Sequence, residues 1–336
     1  AAALGEIIDR CLRKRKEERY ASADELRVAL EALSAEQRLP ALSGEECPFA
    51  GLAAFQEADA GRYFGRERDI AAVIGKLRNQ ELMTIAGPSG AGKSSFVRAG
   101  VIPALKGAGR HLEACVIRPG RKPLAALVDA LSSLVDTTGD EERIDAAAIE
   151  RRLLEQPGYL GVRLRARCRR RGAEHRVLLF VDQFEELYTL GSEPRVRGAF
   201  CASLLGVADD ASSPLRVILS IRADFLDRLA DDRAFLSEVT RGLYFLPPMS
   251  AEGLRDAFTK PLERARYRFE DDSLVDEILH GLVGMKSPLP IFQFLATKLW
   301  EARDEARRLL ATALEKRPGD PDALNNVAYL DEMRKR

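Results

Sequence analysis

The stretch LMTIAGPSGAGKSSFVRA at residues 82–99 decides the fold class of this chain. Its first five residues form an apolar run that predicts a buried strand, and the residues from Ser94 onward predict the start of a helix. Between them, the octapeptide at 87–94 matches the pattern G-x-x-x-x-G-K-[ST] at every fixed position. Strand, glycine-rich loop and helix in this order predict a cradle for the phosphates of a nucleoside triphosphate, because backbone N–H groups at a helix N-terminus attract anions.

The residue types of this loop suit that chemistry. Gly87, Gly90 and Gly92 are expected to adopt positive φ, so that successive backbone N–H groups can point at phosphate oxygens. Lys93 would reach the β- and γ-phosphates, and the Ser94 hydroxyl would ligate Mg²⁺. The predicted nucleotide-binding residues of this stretch are Gly87, Pro88, Ser89, Gly90, Ala91, Gly92, Lys93, Ser94 and Ser95.

The composition of the chain limits its class. Its 336 residues are 46% hydrophobic, enough for two or three domains with a sizeable core. The 52 basic and 52 acidic residues balance, so no global field favours nucleic acid or an anionic membrane. No apolar run approaches the roughly 18 residues of a membrane span, and the N-terminus lacks a signal-peptide pattern. Five dispersed cysteines without metal spacing favour a reducing, cytoplasmic location.

Composition shifts divide the chain into five parts. We predict a charged helical segment at 1–38, a Pro/Gly/Ser linker at 39–48 and an α/β domain at 49–250. A helical subdomain follows at 251–300, and a helical tail at 301–336. Helices are expected at 67–79, 251–265, 273–284 and 291–316.

Five apolar runs predict the strands of the α/β domain. Most of them are continuous rather than alternating, as expected when helices cover both faces of a parallel sheet. The sequence therefore predicts a three-layer α/β fold with a mostly parallel five-stranded sheet, followed by a helical or winged-helix-like subdomain. The strands are expected at 82–86, 113–118, 177–181, 215–221 and 243–246.

The stretch VLLFVDQFEE at 177–186 is the second chemical motif. A buried strand here would deliver Asp182 to the carboxyl edge of the sheet, where α/β sheets bind ligands. Asp182 would hold Mg²⁺ directly or through water, and Glu185 or Glu186 would polarise an attacking water. Glu185 is the nearer of the two to the strand. The structural alternative makes Asp182 only a helix N-cap.

The strand at 215–221 is followed by a third candidate, Arg222. A guanidinium at this edge would contact the γ-phosphate and stabilise the charge that develops on it. Asp224 is expected to act as the N-cap of a short helix at 225–229. The catalytic candidates are therefore Glu185, Glu186 and Arg222, and the metal candidates are Ser94 and Asp182.

Several ordered motifs together resemble the novel STAND NTPases, signal-transduction ATPases with numerous domains that are related to AAA+ and apoptotic ATPases. The resemblance covers most of the chain. Its motifs are CPFAGLAAFQEADAGRYFGRERDIAAVIGKL at 47–77, GPSGAGKSSFVRAGVIPAL at 87–105, VIRPG at 116–120, FVDQFEELYTL at 180–190 and SIRADFLDRL at 220–229.

The resemblance implies further site residues. It implies a P-loop domain of the additional-strand type, in which Gly65 and Arg66 lie against the adenine and ribose. It also implies that SPLPIF at 287–292 corresponds to a proline-containing motif that touches the base side of the nucleotide in a closed, ADP-bound form. Ser287 stands where the family usually has glycine.

The two ends of the chain resemble other families. Residues 7–30 resemble the last helices of a bacterial-type Ser/Thr protein kinase domain, and residues 313–330 resemble a junction between tetratricopeptide repeats. The chain has no H-R-D or D-F-G motif, so kinase activity is not expected. It looks like a piece of a kinase–NTPase–repeat signalling protein.

An arginine-rich run at 163–171 raises the question of nucleic-acid binding. No aromatic residues are interleaved with the arginines to stack on bases, so a solvated helix face is the better interpretation.

The resemblance implies an ATP-dependent signalling switch that hydrolyses ATP slowly to ADP and phosphate, with Mg²⁺ as cofactor. ATP would favour an open, self-associating form and ADP a closed one. Protein partners or self-association are expected. The alternative is an ATP-bound scaffold that does not hydrolyse. Phosphate release distinguishes the two, since both would bind ATP.

Overall fold

The computed structural model describes residues 46–107, 111–134, 145–209, 212–269, 271–282, 285 and 287–316, with a few single residues between 10 and 26. The chain divides into two units, Ala1–Glu46 and Cys47–Arg336. The division falls within the predicted linker. Most of the kinase-like segment at 7–30 and of the repeat-like tail at 313–330 lies outside the described residues.

The second unit is built on a parallel five-stranded sheet. Its strand order is β2-β3-β4-β1-β5, and every neighbouring pair is parallel. The carboxyl ends of β1, β3 and β4, which carry the three predicted motifs, therefore meet at one edge. The strands are β1 (Leu82–Gly87), β2 (His111–Ile117), β3 (His175–Val181), β4 (Leu215–Arg222) and β5 (Leu243–Phe245).

Helices surround this sheet and continue after it. A 3₁₀ helix spans Glu57–Arg62, a second spans Ala223–Asp231, and a π-helical segment spans Phe96–Val101. The α-helices are α1 (Glu67–Leu77), α2 (Lys93–Ser95), α3 (Ile102–Gly107), α4 (Pro123–Leu134), α5 (Ala146–Glu155), α6 (Tyr159–Arg171), α7 (Glu186–Thr189), α8 (Pro194–Val207), α9 (Arg233–Arg241), α10 (Ala251–Arg264), α11 (Asp272–Leu282) and α12 (Pro288–Lys316).

Strand residues alternate between two buried layers. Leu179 and Val181 of β3 pack towards α4, α5, α6, α8 and α9. Leu178 and Phe180 of the same strand pack towards α1 and the helical segments that follow the glycine-rich loop. Both faces are thus covered, which explains the continuous apolar runs in the sequence. Each fully buried side chain of this kind contributes about 1.5–3 kcal/mol.

The predicted fold class is confirmed. All five predicted strands are present, with ends shifted by at most two residues. The described residues after β5 form helices α10 to α12. The last of these begins at Pro288, three residues earlier than predicted, because proline is tolerated in the first helical turn. It runs without a break past residue 300, where a boundary between subdomain and tail was expected.

The arginine-rich run is only partly a solvated face, so that expectation was wrong for Arg167. This side chain of α6 is 7% exposed and binds both carboxylate oxygens of Glu113 on β2, at 2.8 and 2.7 Å. His175 Nε2 lies 3.1 Å from the same carboxylate. The hydrogen bond from Arg167 holds the pKa of Glu113 below its usual value. This cluster lies at the amino-terminal edge of the sheet, away from the predicted site.

Cys115, Cys168 and Cys201 are buried and unpaired with one another. Burial raises the pKa of each thiol, that of Cys201 to about 12. They behave as small apolar core residues. Within the described ranges, no helix combines the length and the apolar character that a membrane crossing requires.

Candidate functional site

The glycine-rich loop connects β1 to α2 at the carboxyl edge of the sheet. Gly90 and Gly92 have φ of 77° and 82°, as predicted. The expectation of positive φ was wrong for Gly87, since this residue still belongs to β1 and pairs with Arg222 of β4. The left-handed turns are therefore confined to the part of the loop between the strand and the helix.

Lys93 curls back over the loop. Its Nζ donates to the carbonyl oxygens of Gly87 and Pro88, both at 2.9 Å. Burial lowers the pKa of Lys93, and the Glu185 carboxylate opposes that shift. The ammonium group thus lies against the glycine-rich loop, and its hydrogen bonds are to backbone carbonyl oxygens of that loop.

Asp182 is the buried centre of the site, with no solvent exposure. Its Oδ1 accepts hydrogen bonds from Ser94 Oγ at 2.7 Å and from Ser220 Oγ at 2.8 Å. Its Oδ2 accepts one from Arg98 at 2.9 Å. The N-cap alternative is wrong, because the short helix α7 begins at Glu186 with Glu185 at the N-cap position.

The donor set fits Mg²⁺. The Ser94 hydroxyl donates a hydrogen bond to Asp182, so the lone pairs of the Ser94 oxygen can ligate a cation. Magnesium prefers hydroxyl, carboxylate, water and phosphate oxygens. Among the described residues no group of three or more His, Cys, Asp or Glu side chains could hold a metal alone. In protein sites Mg²⁺ usually keeps several waters and takes one or two carboxylates together with substrate phosphates.

The two glutamates point in different directions. Glu185 lines a cavity beside the loop, and its carboxylate accepts the backbone N–H of Arg222 at 3.3 Å. Glu186 instead accepts the backbone N–H of Gly120 at 3.2 Å. Glu185 is the N-cap residue of α7 and Glu186 is its first residue, and both follow a left-handed turn at Gln183 with φ of 57°.

Phe184 fixes the same turn. Its ring is fully buried and stacks on Phe235 with centroids 5.4 Å apart. The backbone N–H groups of Gln183 and Phe184 bond to the Ser220 hydroxyl and carbonyl oxygens at 2.9 and 2.8 Å. Ser220 was not among the predicted site residues, although a polar residue in the apolar strand β4 was a usable signal.

Arg222 lies at the end of β4, beside the loop. Its guanidinium makes two hydrogen bonds to Asp224, at 3.1 and 2.6 Å. The expectation that Asp224 caps a helix was wrong, since the 3₁₀ helix begins at Ala223 and has Arg222 at its N-cap position. The ion pair is exposed, with side-chain exposures of 40% and 57%, so its strength is modest.

The cavity beside the loop has a volume of about 320 Å³. Its lining includes the loop, Glu185 and Arg222, a stretch at 51–55 and the aromatic residues Tyr63 and Phe64. Phe55 packs edge-on against Tyr63 with centroids 5.6 Å apart. Its N–H donates to Ser95 Oγ at 3.1 Å, which ties this wall to the helix after the loop.

The beginning of α12 closes the cavity from the other side. Ser287 Oγ donates to the Ser89 carbonyl oxygen at 2.8 Å. Leu289 and Pro290 line the cavity. They leave little room at the loop: a Cβ added to Gly92 would lie 3.1 Å from Leu289. The 287–292 motif thus touches the phosphate-binding loop itself.

Gly65 and Arg66 lie at the start of α1, outside the cavity lining. Arg66 is 2% exposed and donates to Asp69 at 2.9 Å and to the Pro247 carbonyl oxygen at 2.8 Å. Gly65 has φ of 87° and approaches the backbone of Gly253 in α10. Gly65 thus brings the start of α1 against α10, and Arg66 ties it to Pro247 before α10, while the adjacent Tyr63 and Phe64 face the cavity.

A family model matches this chain, and the solved structures that are similar to it include two from archaea. The sequence model of the family described as Novel STAND NTPase 1 matches residues 48–329. No curated protein matches the chain. A solved structure of the ORC2 protein of Aeropyrum pernix in ADPNP and ADP complexes is 15% identical, with a TM-score of 0.48, over 72% of this chain and 64% of that one. A Walker-type ATPase of Pyrococcus abyssi is 17% identical, with a TM-score of 0.44, over 78% and 77%. This chain therefore spans less than two thirds of the length of the ORC2 protein.

We expect Gly65→Ala to lower the free energy of unfolding by more than about 1 kcal/mol. The new Cβ would lie 2.1 Å from the Gly253 carbonyl oxygen, and alanine disfavours the positive φ. Gly75→Ala in α1 is the matched control, because its Cβ would meet nothing within 4 Å and alanine favours a helix interior. Urea unfolding measures both. Equal effects of the two substitutions would contradict the proposed contact.

Proposed function

This chain belongs to the novel STAND NTPase 1 family, and we propose that it is an ATP-dependent signalling switch that hydrolyses ATP slowly to ADP and phosphate. The observation that carries the proposal is the hydrogen bond from Ser94 to the buried Asp182. It joins the phosphate-binding loop to the end of β3, so that the two groups expected to hold Mg²⁺ are already together.

The nucleotide phosphates would bind along the backbone N–H groups of the loop, with Lys93 against the β- and γ-phosphates. Ser94 would ligate Mg²⁺ and Asp182 would hold its water shell. Bound there, Mg²⁺ would neutralise phosphate charge. The stretch at 51–55 with Tyr63 offers an apolar wall for the base.

Glu185 is the stronger candidate for polarising the attacking water. Its carboxylate lies at the cavity, and a carboxylate there can accept a proton from water as the γ-phosphate is transferred. The Glu186 carboxylate instead accepts a hydrogen bond from the backbone N–H of Gly120. This arrangement supports the preference for Glu185 over Glu186.

Arg222 would contact the γ-phosphate and so distinguish ATP from ADP. It extends β4, the neighbour of the strand that carries the loop. Asp224 holds its guanidinium by an exposed ion pair that a phosphate could replace. Because ADP lacks the γ-phosphate, only ATP would recruit Arg222.

The start of α12 is the element that would respond. It contacts Ser89 and the loop glycines, where the phosphates would bind. We propose that ADP is compatible with this contact and that ATP favours an open form that associates with itself or with protein partners. A cytoplasmic location and a place between a kinase and a repeat domain are part of this proposal.

Substituting the two glutamates tests the chemistry. We expect Glu185→Gln to preserve ATP binding and to slow hydrolysis by about 100-fold or more, because the general base is lost. Glu186→Gln is the matched control and should leave the rate nearly unchanged. Single-turnover phosphate release measures both rates.

The reverse result, a slow Glu186→Gln variant and a normal Glu185→Gln variant, would exchange the two roles. If the wild-type chain binds ATP and releases no phosphate, the chain is a nucleotide-bound scaffold instead.

Substituting Arg222 tests the discrimination between nucleotides. We expect Arg222→Ala to weaken ATP binding by at least about tenfold and to change ADP binding much less, since a charge-assisted hydrogen bond is lost only with ATP. Asp224→Ala removes the ion-pair partner, leaves the guanidinium in place and should retain ATP affinity. Calorimetric titration gives the ATP and ADP affinities of the wild type and both variants. Equal losses of ATP and ADP affinity in Arg222→Ala would contradict the sensor role.

A further inference from the structure

A second feature of Asp182 concerns charge rather than metal binding. Its carboxylate is buried, and a buried carboxylate is stable only beside a positive group or when strongly hydrogen-bonded. Arg98 supplies such a group: its Nη2 lies 2.9 Å from Asp182 Oδ2. The guanidinium of Arg118 lies farther away, at 3.6 Å, and is half exposed.

Arg98 is held firmly in this position. Its side chain is 17% exposed, and its Nη1 donates to Gln56 Oε1 at 2.9 Å. Among the described residues its Nε is buried without a hydrogen-bond acceptor, and its two Nη atoms make the contacts to Gln56 and Asp182. It projects from the π-helical segment that follows α2, one turn beyond Ser94.

The two oxygens of Asp182 therefore have different neighbours. Oδ1 accepts hydrogen bonds from the hydroxyls of Ser94 and Ser220, whereas Oδ2 is paired with a permanent cation. Arginine stays protonated at every relevant pH. A fixed positive charge against this carboxylate reduces the negative potential that the site offers to a divalent cation.

We propose that Arg98 is a built-in counter-cation that lets the site bind a nucleoside diphosphate without Mg²⁺ and lowers the contribution of Mg²⁺ to that binding. This inference rests on the proposed nucleotide site. It assigns Arg98 a role in setting metal dependence, separate from the residues that would touch the phosphates.

The competing explanation is that the Arg98–Asp182 pair only stabilises the fold. A purely structural pair would alter nucleotide affinity equally with and without Mg²⁺. The informative quantity is therefore the ratio of the ADP dissociation constant in excess EDTA to that in excess Mg²⁺. A general loss of structure would weaken ADP binding equally in EDTA and in Mg²⁺ and would leave that ratio unchanged.

The experiment measures this ratio by calorimetry for the full chain and for Arg98→Gln. We expect a ratio below about threefold for the wild-type chain and a ratio at least tenfold larger for Arg98→Gln, near the low end of coupling between close charge pairs. Arg98→Lys keeps the charge and should resemble the wild type. Arg118→Gln removes the more distant cation and should change the ratio much less.

Equal ratios for the wild type and Arg98→Gln would overturn the proposal. If Arg98→Gln does not fold, the proposal is tested by the ratio of the wild-type chain alone. A wild-type ratio above tenfold contradicts the proposal, and one below threefold supports it. Absence of ADP binding by the folded wild type under both conditions would instead reject the proposed nucleotide site.

Discussion

The burial of one carboxylate organises this site. Asp182 has no contact with solvent, so its charge must be satisfied by groups that several elements deliver. Ser94 comes from the helix after β1, Ser220 from β4 and Arg98 from the π-helical segment. Removing one partner of a buried ion pair costs about 3–5 kcal/mol, so these contacts hold the helical segments after the loop against the carboxyl ends of β3 and β4.

The same network connects the site to the rest of the second unit. Arg98 also holds Gln56, and Ser95 holds Phe55, so the cavity wall at 51–55 is tied to the helix that follows the loop. On the opposite side, Ser287 bonds to Ser89 of the loop. Phosphates bound in the loop would therefore lie next to residues that are hydrogen-bonded to both walls of the cavity. This coupling gives the proposed switch a physical basis.

The sequence predicted the features that are local in the chain. The loop, the five strands and the position of Asp182 follow from short motifs and from apolar periodicity. It did not predict contacts between distant segments, such as Arg98 with Asp182 or Arg167 with Glu113. The choice between the adjacent glutamates depended on contacts with distant segments, since Glu185 lines the cavity beside Arg222 and Glu186 accepts the backbone N–H of Gly120. The contact of Ser287 with the loop likewise requires the tertiary fold.

Binding of nucleotide phosphates by the glycine-rich loop is tested by calorimetric titration of ATP with Mg²⁺ into the wild-type chain and into Lys93→Ala. Lys106→Ala is the matched control, because Lys106 pairs with Glu57 away from the loop. We expect the wild type and Lys106→Ala to bind ATP, and folded Lys93→Ala to lose at least about 100-fold in affinity. Unchanged ATP affinity in folded Lys93→Ala would contradict phosphate binding by the loop.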